Sequence, residues 1–235
     1  MNNILKILIL TSFSGGAMVL GGYLGTKKIP DKILAFTLTF GAGVLLAVVS
    51  FTLMHKAYNY SGPVYTSAAF ILGGCFFYKL EGFLSKKLSS GMGIIIGTAM
   101  DDLPEALSMG IGFATQSGLG TVLALSIFLH NIPEGISSIS ELVDKGSFTR
   151  RQAFALAVLI AFLDPISALI GYSFLHNLED VWLGLIMAFS GGGILFMTGT
   201  DMIPKAHKLG NKSDNAGILF GFLAAFLLSK IFGQN

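Results

Sequence analysis

Two short polar segments interrupt long apolar stretches of the chain, at residues 101–105 (DDLPE) and 130–134 (HNIPE). Both read polar, polar, aliphatic, proline, glutamate, a repetition that chance does not readily produce in apolar sequence. A further acid, Asp164, precedes a proline in a third apolar stretch. Carboxylates and an imidazole, without thiolates, suit a hard or borderline divalent cation. The two segments therefore predict a site for such a cation.

Helical spacing would bring these polar side chains together. Residues four apart lie on one helix face, which pairs the first and last members of each segment. The second members lie about 100° further around the helix. Each proline also leaves one carbonyl of the preceding turn without its amide partner. In chain order, the candidate metal ligands are Asp101, Asp102, Glu105, His130, Asn131, Glu134 and Asp164.

The acids among these residues are costly to bury. Each carboxylate at the centre of a membrane helix costs about 2.5–3.5 kcal/mol on insertion scales. The three apolar stretches carry no lysine or arginine away from their ends, so salt bridges within them cannot offset this cost. A bound cation, water or protonation must do so instead.

The amino-acid composition of the whole chain indicates in what kind of protein the polar segments lie. Of 235 residues, 53% are hydrophobic, 12% are charged and 30 are glycine, whereas soluble domains contain about 25% charged residues. The chain is too apolar for a soluble or disordered protein, and its net charge of +2 predicts no nucleic-acid partner. We expect an all-α polytopic membrane protein that forms a single domain over residues 1–235 in a lipid bilayer.

Eight stretches are long enough to cross a bilayer, since a spanning helix needs about 20 mostly apolar residues. They lie near residues 4–26, 32–54, 64–84, 91–115, 118–141, 151–176, 181–202 and 214–233. Their lengths fit helices rather than the roughly ten-residue strands of a membrane barrel.

The basic residues predict the orientation of these spans. Twelve of the 15 lysines and arginines lie on one side, at or near connections 1–2, 3–4, 5–6 and 7–8: Lys27, Lys28, Lys32, Lys79, Lys86, Lys87, Lys145, Arg150, Arg151, Lys205, Lys208 and Lys212. Basic loops stay in the cytoplasm. We therefore expect a multi-pass cell-membrane protein with both termini outside the cytoplasm.

A weak internal echo links the second and seventh predicted spans. Phe40, Gly43, Lys56 and Ala57 recur in the same order and spacing as Phe189, Gly192, Lys205 and Ala206. The two spans have opposite predicted orientations, as in the inverted repeats of transporters. The pattern predicts a 3+2+3 arrangement of the eight spans with an inverted repeat.

Residues 130–135 (HNIPEG) resemble the fifth-span signature of the ZIP (Zrt/Irt-like) family of divalent metal transporters, in its prokaryotic form. Residues 101–106 resemble the related fourth-span motif, and residues 161–171, with Asp164, resemble the sixth-span motif. Residues 201–207 resemble the end of the seventh span. The resemblance extends over essentially the whole chain.

This resemblance implies a binuclear metal centre between spans 4, 5 and 6. By position, one site would use Asp101, Glu105, His130 and Glu134; the second would use Asp102, Asn131 and Asp164 and share both glutamates. The implied cargo is a divalent ion of the zinc, iron and manganese class, with two ions bound at most and no cofactor. The family also implies that spans 1, 4, 5 and 6 move against spans 2, 3, 7 and 8. A homodimer is compatible with the sequence, which does not define the oligomeric state.

Four residues depart from the usual family pattern. Asp101 stands where the family usually has histidine, and Asp102 where it usually has asparagine. Asp164 replaces the usual glutamate, and Lys205 replaces a glutamate of the seventh-span motif. These differences leave the preferred metal open, because oxygen-rich sites favour harder ions than zinc.

Two other functions compete with divalent metal transport. An intramembrane metal-dependent hydrolase would need an open metal position and a general base, and the sequence lacks the typical H-E-x-x-H helix. A proton- or sodium-coupled carrier of an organic solute would not need so many acids without a basic partner.

The predicted topology can be tested by labelling single cysteines in a Cys75→Ser background. Asn3→Cys and Gln234→Cys should react with an impermeant maleimide in intact cells, because both termini are predicted to face outward. Ser147→Cys, in the connection between spans 5 and 6, should react only after permeabilisation. The reverse labelling would overturn the orientation.

Overall fold

The computed structural model describes residues 3–85, 90–115 and 118–233, and it is helical throughout, with no strand in those ranges. The helices are α1 (Asn3–Gly25), α2 (Asp31–Ala47), α3 (Met54–Ser85), α4 (Ser90–Ala114), α5 (Leu119–Asp144), α6 (Arg150–Ala161), α7 (Leu163–Leu175), α8 (Asp180–Met197), α9 (Ile203–Leu209) and α10 (Gly217–Phe232). The all-α prediction is confirmed.

Six helical segments are long and apolar enough to cross a membrane, within the described part of the chain. They are Ile4–Gly25, Asp31–Leu84, Leu119–Asp144, Arg150–Leu175, Asp180–Leu209 and Asp214–Phe232. The second of them has 54 residues, far more than one crossing requires. Helix α4 has the length of a span, 25 residues, but carries three acids. These helices are consistent with a polytopic membrane protein.

The long second segment is interrupted at Gly62, whose φ of 71° and ψ of 171° lie outside the helical region. Glycine adopts a positive φ without the steric cost that a β-carbon imposes. Pro63 follows, and proline suits the first turn of the helix that starts there. The helix before Gly62 extends beyond residue 54, where the sequence placed the end of the second span. The helix thus continues through the polar stretch that follows the predicted end of the span.

Two π-helical turns lie at corresponding places in the second and seventh predicted spans. One covers Val48–Leu53 and the other Thr198–Met202. Each ends three residues before a lysine of the sequence echo, Lys56 or Lys205. The shared position is consistent with the predicted repeat. The amino-acid composition of the two segments does not predict a π-helix, whose turn is wider than that of an α-helix.

The predicted span at 151–176 is two helices rather than one. Helix α6 ends at Ala161, and α7 begins at Leu163. Pro165 lies in the first turn of α7, where a missing amide hydrogen is tolerated. It cannot donate to the carbonyl of Ala161, and that carbonyl lies against Gly15 of α1. By contrast, α4 and α5 continue through Pro104 and Pro133.

Glycines allow the helix backbones to approach closely, and they do so in a repeated pattern. A β-carbon at Gly43 would overlap the carbonyl of Ile218, and one at Gly221 would overlap that of Phe40; these contacts join α2 to α10. A β-carbon at Gly192 or Gly73 would likewise overlap the carbonyl of Phe70 or Phe189, and these contacts join α3 to α8. Small residues at helix interfaces are the usual route to close packing in membranes.

The remaining helices pack around α5. Helix α1 lies along α5, α4 packs on α7, and α5 also contacts α2 and α4. The largest cluster of buried apolar side chains draws on most of these helices, including Met109 of α4, Ile127 of α5 and Met187 of α8. The acid-bearing segments of α4 and α5 therefore lie next to each other inside the bundle.

Adjacent glycines of α1 provide a matched test of this packing. Gly15→Ala should lower the melting temperature of the detergent-solubilised protein, because the added methyl group meets the backbone of Ala161 and overpacking costs about 1–3 kcal/mol. Gly16→Ala should be neutral or stabilising, since its methyl group would meet nothing within 4 Å and alanine favours the helix by about 1 kcal/mol. Equal melting temperatures would contradict the packing described.

Candidate metal centre

Six of the seven candidate ligands are buried in the bundle. Their exposed fractions are 4% for Asp102, 2% for Glu105, 2% for His130, 2% for Asn131, 7% for Glu134 and 3% for Asp164. Asp101 is half-buried. The helices that carry them, α4, α5 and α7, bring polar groups together from three parts of the chain.

His130 lies between two glutamates. Its Nε2 atom is 3.2 Å from Oε1 of Glu105 and 3.5 Å from Oε2 of Glu134. Glu134 is one turn further along the same helix, as the spacing predicted, whereas Glu105 reaches His130 from α4. Gly41 of α2 lies against the ring, because a β-carbon there would be 3.0 Å from Nδ1 of His130. The ring is thus held between three helices.

Asn131 and Asp164 form a second polar group beside the first. The Nδ2 atom of Asn131 donates a hydrogen bond to Oδ2 of Asp164 at 3.0 Å. The same amide is 3.3 Å from the backbone oxygen of Ser14 and 3.4 Å from its hydroxyl. Ser14 is fully buried on α1. The sequence did not single out Ser14, which is one of three serine and threonine side chains, with Thr11 and Ser12, in a mainly apolar helix.

The two aspartates of the fourth span take different positions. Asp102 is buried and lies within electrostatic reach of Asp164 and Glu134. Asp101 points to the other side, where it lines two cavities. The first member of the segment therefore lies at the edge of the polar cluster and the second lies inside it.

Several acceptor atoms of this cluster lack a hydrogen-bond partner among the described residues. They are Oε2 of Glu105, both carboxylate oxygens of Glu134 and Oδ1 of Asn131. Buried acceptors of this kind are costly unless an ion, water or proton satisfies them. Within residues 3–85, 90–115 and 118–233, no three His, Cys, Asp or Glu side chains meet the spacing of a metal-ligand cluster.

A cavity of about 880 Å³ leads from this cluster to the surface. Glu134 lies at its buried end, and Asp31, Asp144 and Lys208 lie at its exposed rim. We call this cavity the vestibule. Its rim is formed by the ends of helices at connections 1–2, 3–4, 5–6 and 7–8, which are the lysine-rich connections.

A smaller cavity of about 40 Å³ adjoins the vestibule. Glu105 and His130 line it, together with Leu45 of α2 and Ile194 of α8. Asp101 and Glu134 line both cavities. A small ion at the buried cluster thus has a path along carboxylates to the rim.

An ion pair joins two helices that line the vestibule. Lys205 of α9 donates to Oε2 of Glu141 on α5, and Nζ of Lys145, the residue directly after α5, lies 2.8 Å from Oε1 of the same carboxylate. The sequence did not reveal this contact, because the two partners lie in different spans and neither belongs to the polar segments.

The comparisons with known proteins agree on one family. The profile of the family described as ZIP Zinc transporter matches residues 84–229, more than half of the chain. The zinc transporter GufA of Myxococcus xanthus is 34% identical over 155 residues, which cover 65% of this chain and 60% of that protein.

Two further relatives are aligned over most of their length. The zinc transporter ZupT of Clostridium perfringens is 23% identical over 276 aligned positions, covering 98% of this chain and 96% of that protein. The zinc transporter ZupT of Chlorobium chlorochromatii is 26% identical over 248 aligned positions, covering 89% of this chain and 90% of that protein.

These relatives are transporters rather than enzymes, which removes the hydrolase alternative. A multi-pass membrane location follows from the family and from the long apolar helices. The buried carboxylates around His130 lie inside the matched region. The chain belongs to the ZIP family of zinc transporters.

Proposed function

We propose that this protein carries divalent metal ions across the cell membrane toward the cytoplasm. One observation carries the proposal: His130 lies between Glu105 and Glu134 in a buried cluster that opens into the vestibule. Intramembrane acids without a basic partner mark an ion pathway. The names of the relatives support zinc, and iron and manganese belong to the same ligand class.

The proposed centre binds two ions side by side. The first is held by Asp101, Glu105, His130 and Glu134. The second is held by Asp102, Asn131 and Asp164, with both glutamates shared between the positions. The unpaired acceptors on Glu105, Glu134 and Asn131 support this assignment, because ions would satisfy them. Asn131 would turn its oxygen to the ion, as its amide nitrogen already faces Asp164 and Ser14.

Eight spans in a 3+2+3 arrangement are the proposed topology. The contacts between helices support it, because the predicted repeat converts one contacting pair into another. The pair α3–α8 corresponds to the pair α10–α2, and the pair α1–α5 corresponds to the pair α7–α4. The glycine contacts of the first two pairs also correspond residue by residue, Gly43 with Gly192 and Gly221 with Gly73. The interruption of the helix at Gly62 would divide the 54-residue segment into two spans, the second and the third.

The vestibule supports access to the buried cluster from the cytoplasm, as import would require for release of the ion. Its rim lies among the lysine-rich connections, which the positive-inside rule places in the cytoplasm. The structure would then be open toward the cytoplasm, with both termini outside. An ion released from the buried cluster would leave along Asp101 and the acids of the vestibule.

Glu105→Gln and Glu134→Gln should each abolish metal uptake into proteoliposomes, because each glutamate serves both proposed positions. Asn131→Ala should reduce uptake less, since it removes a ligand from one position only. Uptake of radioactive zinc measures the effect. Glu179→Gln, an exposed glutamate at the start of α8, is the matched control and should transport normally. Normal uptake by both glutamate variants would show that the site is misplaced.

Asp101→His should raise zinc uptake relative to manganese uptake, and Asp102→Asn should add to the change. Imidazole suits zinc, whereas carboxylates shift a site toward harder ions. Competition uptake assays with both metals measure the ratio. Asp144→His places an imidazole at the rim of the vestibule and should leave the ratio unchanged. An unaltered ratio in the double variant would show that these two acids do not determine selectivity.

A further inference from the structure

Glu141 is the only acid of the vestibule that pairs with two ammonium groups among the described residues. Lys145 directly follows α5, one turn beyond Glu141, and surface pairs of that kind contribute little. Lys205 comes from α9, a different helix that also lines the vestibule. The second contact therefore joins two helices along the path that leads from the buried cluster.

Lys205 lies between the buried cluster and the rim. Its ammonium group is within electrostatic reach of Asp101 and Asp201, which line the small cavity. Both of these acids also line the vestibule, as does Glu141. One tethered cation thus acts on three carboxylates along the way out.

Acids along an exit path present a conflict. They attract a divalent ion, but several unpaired carboxylates would also hold it, and passage requires binding weak enough for the ion to leave. A fixed ammonium group resolves this conflict, because it competes with the ion for the same oxygens. Lys208, which lines the same cavity nearer the rim, has no ion pair in the described part of the chain.

We propose that Lys205 is a tethered counter-ion that keeps Glu141 from binding the transported metal, so that ions released from the buried cluster pass the vestibule without being retained. This role rests on the proposed function and extends it to a residue outside the metal centre. Lys205 acts through Glu141 and is a positioning residue.

The test compares metal binding and uptake in four purified proteins: the native chain, Lys205→Met, the double variant Lys205→Met with Glu141→Gln, and Lys208→Met. Equilibrium dialysis against buffered Zn²⁺ gives the number of ions bound. Lys205→Met should bind about one further Zn²⁺ per chain, because Glu141 would then join Asp101 and Asp201 as a carboxylate open to the vestibule, and carboxylate oxygens are zinc ligands. Its uptake should be roughly two- to tenfold slower, since tighter retention acts mainly through the dissociation rate.

The double variant should return to the native stoichiometry, and Lys208→Met should not differ from the native chain. Lys205→Arg, which keeps the ion pair, should also bind as the native chain does. An unchanged stoichiometry in Lys205→Met, or the same gain in Lys208→Met, would overturn the role of Lys205. If the native chain and all variants bind no Zn²⁺, both the proposed function and the Lys205 role fail. If only Lys205→Met binds an extra ion, the Lys205 role is supported even where the native chain shows no uptake.

Discussion

Burying carboxylates without a basic partner is the constraint on which the rest of this structure depends. Asp102, Glu105, Glu134 and Asp164 are nearly inaccessible, and the cluster contains one imidazole and no lysine or arginine. Insertion scales assign each acid a cost of about 2.5–3.5 kcal/mol at the centre of a membrane helix. Helix packing must therefore stabilise such a cluster, and a cation, water or protonation must offset its charge.

Glycine provides much of that packing. The pairs α2–α10 and α3–α8 are drawn so close that a single β-carbon would collide with a backbone carbonyl of the partner. Helices in lipid gain little from the hydrophobic effect between them, so close contact of backbones has to hold them together. The polar cluster is positioned in the same way, since Gly21 and Gly25 of α1 lie against the backbone of α5 next to His130 and Glu134. Small residues on apolar helices therefore decide where the acids meet.

The sequence alone predicted the helical class and the common face of His130 and Glu134, because both follow from local patterns. Asp101, predicted to lie beside Glu105, is instead at the edge of the cluster. Apolar stretches of defined length predict helices, and the spacing of His130 and Glu134 fixes their common face. The parts that were not predictable involve partners far apart in the chain: the hydroxyl of Ser14 beside Asn131, and the contact of Lys205 with Glu141. The π-helical turns and the break before Leu163 depend on packing, which no spacing of residue types encodes.

The helices can be divided into two groups by what they carry. Helices α2 and α10, and helices α3 and α8, are joined in pairs by glycine contacts and carry none of the candidate ligands, whereas α1, α4, α5 and α7 surround the polar cluster and pack together. The vestibule is lined by both groups, and the contact of Lys205 with Glu141 joins two helices that line it. Every candidate metal ligand belongs to the second group. If spans 1, 4, 5 and 6 move against spans 2, 3, 7 and 8, as the family resemblance implies, an ion bound there would stay with its ligands on α4, α5 and α7 while the path to the rim opens or closes.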